Sequence, residues 1–331
     1  CAFGSIQAAI EAASVGDTIA ICAGKYTENL TISKNLTLAG PTGNNPAAVG
    51  GAGGTSVVTV LDGVTTIIQN MAFGLGVGTL INGERLGGGL LNLGNTTLKS
   101  VSLEENTADN GGAIYSFGPL TLDGVTVALN HATLNGGGIY AQVQGELTAI
   151  NVTRVESNTA VLGGGIYAES DVTLTTGSVV DGNTATNDGG GIYNRAQLTL
   201  DASVVRANAA QGNGGGIYSL ADVIAQNSAV ITLNMAKNGG GVYNAGNPLG
   251  NTPLLRINSS AVTNNSVTEV GGGIFNDDGT ITMEAGTVFG NKAATAGGLF
   301  NTDGGDVTFG ANSAVVENDP TNCVGTSTCP A

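Results

Sequence analysis

Gly136-Gly137-Gly138-Ile139-Tyr140 is one copy of a phrase that returns down the whole chain. It reads Gly111-Gly112-Ala113-Ile114-Tyr115 one step earlier, and it recurs ending at Tyr167, Tyr193, Tyr218, Tyr243, Phe275 and Phe300, with an eroded copy ending at Leu91. Most steps are about 25 residues, and such a fixed period marks a solenoid of stacked repeats. The longer step from Tyr243 to Phe275 holds a Gly/Asn/Pro-rich patch at 244–253, which reads as a loop inserted into one coil.

Two other phrases keep step with the first. One is an aliphatic residue followed three positions later by asparagine, as in Leu103/Asn106, Val127/Asn130, Val155/Asn158, Val180/Asn183, Val205/Asn208, Ile231/Asn234, Val262/Asn265, Val288/Asn291 and Val315/Asn318. The other is a short alternating run such as Leu120-Thr121-Leu122, Val172-Thr173-Leu174 or Ile281-Thr282-Met283. Alternation is the period of a strand with apolar residues in and threonine out. Each repeat therefore holds three short strands and three corners, one turn of a parallel β-helix. The asparagines are placed just past a strand, where the side-chain amide bonds backbone of the corner and the left-handed conformation is tolerated. Stacked, Asn106, Asn130, Asn158, Asn183, Asn208, Asn234, Asn265 and Asn291 should form an internal ladder. The glycines supply positive φ and let successive coils approach. A phosphate-cradling loop would need a following helix and a lysine, and no copy has that setting.

The chain has 331 residues, 55 of them glycine, no tryptophan, and only 11% charged residues. The repeat runs on unbroken, so one domain is expected: a capping helix at 1–17, a β-helix at 18–318 of about 11 coils, and a closed tail at 319–331. Net charge is −15, and the ten basic residues form no cluster, which excludes nucleic acid as the natural partner. No apolar run reaches membrane-spanning length. A sequence that starts at a cysteine without a leader reads as a processed mature chain.

Residues 5–14 put Ile6, Ala9, Ile10 and Ala13 on one helical face, with Ser5 as N-cap and Gly16 as the stop. Such a helix at the end of a solenoid is a lid over the open core. Next come Thr18-Ile19-Ala20-Ile21, then Gly24-Lys25-Tyr26 with Leu30-Thr31-Ile32, then Lys34-Asn35-Leu36-Thr37-Leu38. This opening resembles that of many secreted right-handed parallel β-helix proteins, pectin methylesterases among them. The later GGAI/GGGI and aliphatic-x-x-N phrases resemble the GGAI and FxxN repeats of bacterial polymorphic outer membrane proteins and related autotransporter passengers. The resemblance implies an all-β, single-stranded, right-handed parallel β-helix at a cell surface. No pectinesterase catalytic group carries over, because that family's paired-Asp, Gln and Arg signatures are not found downstream. The aromatic of FxxN is replaced throughout by Val, Leu or Ile.

Residues 44–55 read as a surface loop, and the eroded stretch 74–89, with Arg85, as an irregular coil where a cleft could be built. The four cysteines lie at the ends, Cys1 and Cys22, then Cys323 and Cys329. Terminal clustering favours two disulfides in an oxidising compartment, each contributing roughly 2 to 4 kcal/mol. Pairing within each end would lock the lid and close the tail. The rival pairing joins the tail of one molecule to the lid of the next. With a single histidine, His131, and no CxxC, a zinc site is not expected.

Polysaccharide cleavage on this scaffold would need paired carboxylates, or Ca²⁺ held by several aspartates with a basic partner. Asp277, Asp278, Asp303 and Asp306 are the candidates, one coil apart at one corner, and their sequences are also ordinary turn sequences. Two outward rows offer binding surfaces. One is the aromatic stripe Tyr115, Tyr140, Tyr167, Tyr193, Tyr218, Tyr243, Phe275 and Phe300. The other is a threonine file of Thr37, Thr59, Thr97, Thr121, Thr148, Thr173 and Thr199, broken at Ile224 and Arg256 and resumed at Thr282 and Thr308. The reading is a non-enzymatic extracellular scaffold without a cofactor, partnered by itself, end to end or side by side, or by surface glycans and proteins. The competing reading is a polysaccharide-binding or polysaccharide-cleaving protein. No capping helix follows Asn318, so the last coil is expected to leave strand edges open.

Overall fold

A computed structural model describes residues 3–43, 46–246 and 252–331. Alternating apolar residues make short strands, and the fixed repeat stacks each strand on its counterpart one coil later. Three parallel sheets of 12 strands result, corresponding to about 11 turns. At strand spacing of about 4.8 Å the rod is roughly 50 Å long. The threonine sheet runs from Thr18–Ala20 to Asp306–Phe309, the middle sheet from Gly24–Thr27 to Ala314–Val316, and the aromatic sheet from Leu30–Ile32 to Cys323–Val324. Inside lies one continuous core of stacked Val, Ile and Leu, exemplified by Leu122, Val155, Ile192 and Leu255, all within 1% of full burial.

Three strands per coil is not the whole plan. Between the middle and aromatic sheets the chain makes a fourth, nine-stranded sheet of short strands, from Thr79–Ile81 to Ser266–Val267. Its strands run to two residues in several coils, as at Thr184–Ala185, too short to show a period in sequence.

Two expectations about irregular stretches change. Ala47–Gly50, inside the segment read as a loop, is a strand with Ala47 and Val49 buried, paired on both sides in the middle sheet. Its inward pair of small residues satisfies the core without looking apolar enough to announce itself. Within 74–89 the chain forms an antiparallel hairpin of Thr79–Ile81 on Glu84–Leu86. Its two-residue turn, Asn82-Gly83, has φ of 54° and 92°, the mirror-image turn that matches strand twist. Asp109 accepts the Arg85 backbone N–H at 2.8 Å, and the Arg85 guanidinium donates to the carbonyls of Gly54 and Gly78. This hairpin closes one end of the short sheet.

A helix closes one end of the rod, while at the other the edge strands Asp306–Phe309 and Cys323–Val324 pair on one side only, as expected for a last coil without a capping helix. The lid helix Ile6–Ala12 is capped by Ser5 Oγ, which accepts from Ala8 N at 3.0 Å, and it buries Ile6, Ala9 and Ile10. Glu28 sits at its positive end, accepting from the N–H groups of Ile6 and Gln7. Lys34 Nζ sits at its negative end, donating to the carbonyls of Glu11 and Ala13. Both charges complement the helix dipole. Gly16 does not end this helix; Ala13 already turns extended, and Gly16, at φ 89°, shapes the turn into the first strand.

At the other end the tail beyond Asn318 is not a loose closure. Cys323–Val324 extends the aromatic sheet, and the Pro330 carbonyl accepts from Val315 N at 2.9 Å across the last strand of the middle sheet. A disulfide joins Cys323 to Cys329. Cys22 is not a free thiol, while Cys1, its expected partner, lies outside the described residues. The inserted loop at 244–253 also lies partly outside them.

Candidate functional site

The aliphatic-x-x-Asn phrase builds the most ordered polar feature of the molecule. Each ladder asparagine is at least 99% buried from Asn106 to Asn291, so every amide hydrogen must find an acceptor. Asn183 shows the scheme. Its Nδ2 donates to Asn208 Oδ1 of the next coil at 3.0 Å and to the Val155 carbonyl at 2.9 Å. Its Oδ1 accepts both the backbone N–H and the Nδ2 of Asn158 in the coil before. The same pattern repeats until Asn322 Oδ1, in the tail, accepts from Asn318 N and Nδ2 and ends the column. The asparagines themselves do not take the left-handed conformation. The residue before each one does, as at Glu105, Leu129, Ala207 and Leu233, with φ of 53° to 59°. That kink turns the asparagine inward.

A second internal column escaped the sequence reading. The residue after each stripe aromatic points inward, and where it is polar it joins a chain: Asn92 to Ser116, Asn194 to Ser219, and Asn244 to Asn276 to Asn301. The signal was present as Tyr-Asn and Phe-Asn pairs, whose strand alternation dictates an inward amide.

The glycine phrase explains the packing between these columns. The first residue of each copy takes positive φ, as Gly136 does at 63°, and in the copy ending at Phe300 that residue is Ala296, at 53°. The second cannot carry a side chain: a Cβ at Gly190 would sit 2.5 Å from the Ala209 carbonyl carbon and the Gly215 oxygen.

Outside, the aromatic stripe is a continuous stack. Seven consecutive ring pairs from Tyr115 to Phe300 have centroids 4.7 to 5.2 Å apart. The rings cover one another's faces and leave their edges and hydroxyls outward. The stack is also polar at its rim. Tyr243 OH donates to Asp277 Oδ2 at 2.8 Å, and Arg195 Nη1 donates to Tyr167 OH at 3.2 Å and to Glu169 Oε1 at 3.3 Å. Burial in the stack, helped by Glu169, Asp188 and Asp277, raises the phenol pKa of Tyr115, Tyr140, Tyr193 and Tyr243, and pushes Tyr218 from its ordinary 10.0 up to about 12. A phenol whose pKa is raised on folding stabilises the fold below its unfolded value, and that contribution is lost as pH climbs from 10 towards 12. Tyrosinate absorbance should therefore rise at higher pH in the native chain than in the urea-unfolded chain. Coincident titrations would show that the rings are not stacked in solution.

The threonine file is real but differently composed. Thr59 belongs to the aromatic row, opposite Thr31 and Leu91, and Ile67 takes its place between Thr37 and Thr97. Ile67 breaks the row once and the adjacent Ile224 and Arg256 break it again, so hydroxyl spacing is interrupted in two places.

The four aspartates are not drawn into one site. Asp277 accepts from Tyr243, Asp278 accepts from Thr302 Oγ1, and the Asp306 backbone N–H donates to the Gly279 carbonyl. Among the described residues no three His, Cys, Asp or Glu side chains converge to hold a metal ion. His131 is exposed and shares a hydrogen bond with Thr159 Oγ1 at 2.8 Å.

The chain matches the repeat model of the Chlamydia polymorphic membrane protein family at residues 100–116 and 177–195. Each matched segment spans an aliphatic-x-x-Asn phrase and the glycine phrase after it, the part of the coil where ladder and glycine corner meet. No curated protein and no solved structure matches the chain significantly. The likeness is thus to a repeat that builds these coils, and it reaches two short segments of a chain that repeats the same construction throughout.

Proposed function

We propose that this chain is a non-enzymatic, surface-displayed adhesive rod, coiled right-handed as parallel crossovers are, that meets its partners along its sides. The observation that carries this reading is the match of two coils to a repeat of Chlamydia polymorphic membrane proteins, whose name places that repeat in membrane proteins. Three features of the molecule support it. The rod presents long sheet faces, no three acidic, His or Cys side chains converge among its described residues to hold a metal ion, and a helix covers the first coil.

Polysaccharide binding draws on the same aromatic stripe and ranks second, because stacking leaves ring edges and hydroxyls, not ring faces, for a sugar. Beads coated with the purified chain should bind target cells, and soluble chain should compete. Uncoated and coated beads behaving alike over a panel of cell types, or release of unsaturated sugars from acidic polysaccharides, would overturn the reading.

A further inference from the structure

The corner between the aromatic and threonine sheets changes length from coil to coil. Its turns span residues 61–64, then only Leu93-Gly94, then 117–119, then 142–146. A short turn set between longer ones leaves a notch of about 250 Å³, lined by Asp62, Leu93, Asn95, Phe117, Pro119 and Gln144. A Cβ on Gly94 would run into the carbonyls of Leu61 and Val64, so that turn lies tight against the coil before it. The loop inserted at 244–253 enters the same corner four coils beyond Gln144, about 19 Å along the rod.

Two features set the notch apart from the stripe. Phe117 is 37% exposed and, among the described residues, joins no ring pair, so no other ring covers its faces. The exposed side chains of Asp62, Asn95 and Gln144, brought together from three coils, form no hydrogen bond among the described residues. An apolar platform with a few convergent polar groups is the ordinary make-up of a small-ligand site.

The backbone narrows the choice of ligand. The N–H groups of Leu93, Asn95, Thr96 and Phe117 already donate to the carbonyls of Val60, Val64, Pro119 and Asn92, so an added peptide strand finds no open ladder. Asp62 is the one carboxylate in the lining, and no three acidic, His or Cys side chains converge among the described residues to hold a metal ion. A pyranose ring has what the notch lacks. Its C–H face packs on an aromatic ring, and its vicinal hydroxyls both donate and accept, as the amides of Asn95 and Gln144 do, with Asp62 as a further acceptor. The notch is smaller than the roughly 300 to 1,000 Å³ of sites for drug-sized molecules, which suits one sugar ring. Asp62, on a chain of net charge −15, repels an acidic sugar.

We infer that this notch holds one neutral hexose of a surface glycan, its C–H face on Phe117 and its hydroxyls bonded by Asp62, Asn95 and Gln144. This names the partner chemistry of the adhesive rod and rests on that reading.

The test uses the purified chain without cells, with the methyl glycosides of galactose, glucose and mannose as probes in saturation-transfer NMR. At least one should bind, with the strongest transfer to the C–H protons of one ring face. Its affinity should fall about tenfold in Phe117→Ala, the loss of one aromatic contact, fall less in Asn95→Ala and Gln144→Ala, and persist in Phe117→Tyr. Tyr193→Phe, which changes the rim of the stripe, should bind like the parent chain. Equal losses in Tyr193→Phe and Phe117→Ala would move the sugar to the stripe and overturn the site, as would glucuronate binding as tightly as the neutral glycosides, or no transfer to any of the three at high millimolar concentration. Beads carrying the preferred hexose through its anomeric oxygen should capture the chain; binding of the glycoside without capture would make the ligand a free sugar and overturn the glycan partner. Hexose binding by a chain that fails to adhere to cells would leave the sugar site standing and remove the adhesion reading, whereas adhesion undiminished in Phe117→Ala would leave adhesion standing and remove the notch as its contact.

Discussion

Replacing Asn183 by alanine should cost about 3 to 5 kcal/mol, the range of a broken buried network. The change removes four hydrogen bonds at once. The Asn158 backbone N–H, bonded to Asn183 Oδ1 at 2.9 Å, loses its acceptor, and the Val155 carbonyl loses the Nδ2 donor. Asn208 Oδ1 and Asn158 Nδ2 each lose one partner as well. Each orphaned buried group costs roughly 1 to 3 kcal/mol, whereas an intact bond contributes only about 1. Asn322→Ala, at the exposed end of the same column, should cost far less. Urea denaturation read by circular dichroism compares the two, and equal costs would show that the ladder is not a continuous buried column.

Gly190→Ala should be at least as damaging, about 3 kcal/mol or more, although it adds a single methyl. The added Cβ would meet backbone of the next coil, and backbone held in a parallel ladder cannot swing aside as a side chain can. Gly177→Ala is the control: that glycine, unlike Gly190, has positive φ, at 78°, and the nearest atom to a new Cβ is a Val152 methyl at 3.3 Å. It should lose about 1 kcal/mol, the cost of a left-handed alanine. Because each coil touches only its neighbours, Gly190→Ala should loosen coils near the substitution first. Hydrogen exchange should rise around 183–216 before it rises near Leu36 or Met283. Uniform loss of protection would mean that the rod unfolds as one cooperative unit.

These contrasts show what the sequence makes legible. Period-two alternation and the returning glycine phrase give the three long sheets, because burial and close approach act on every copy alike. The two-residue strands of the short sheet, such as Thr159–Ala160 and Thr184–Ala185, do not declare themselves, since two residues are shorter than any period. The register of Thr59 was misread because Val58-Thr59-Val60 alternates just as the threonine strands do, and only the pairing with Leu30 and Leu90 assigns it to the aromatic sheet. The ladder column is readable as spacing, but the kink before each asparagine is not. Leu129 and Leu233 occupy left-handed φ where a turn residue would be expected, held there by the amide that follows. At the candidate surfaces, the stripe is legible as a row. That its rings stack face to face, and that a notch opens on the corner beside it, depends on which turns the coil brings together.

Electron microscopy of the purified chain in negative stain, with and without reductant, tests most directly whether this is a rod that works by its sides. The account predicts single rods roughly 50 Å long in both conditions. Filaments with an axial repeat of one rod length would contradict it, and their loss on reduction would place the cysteine-bearing ends at the joint.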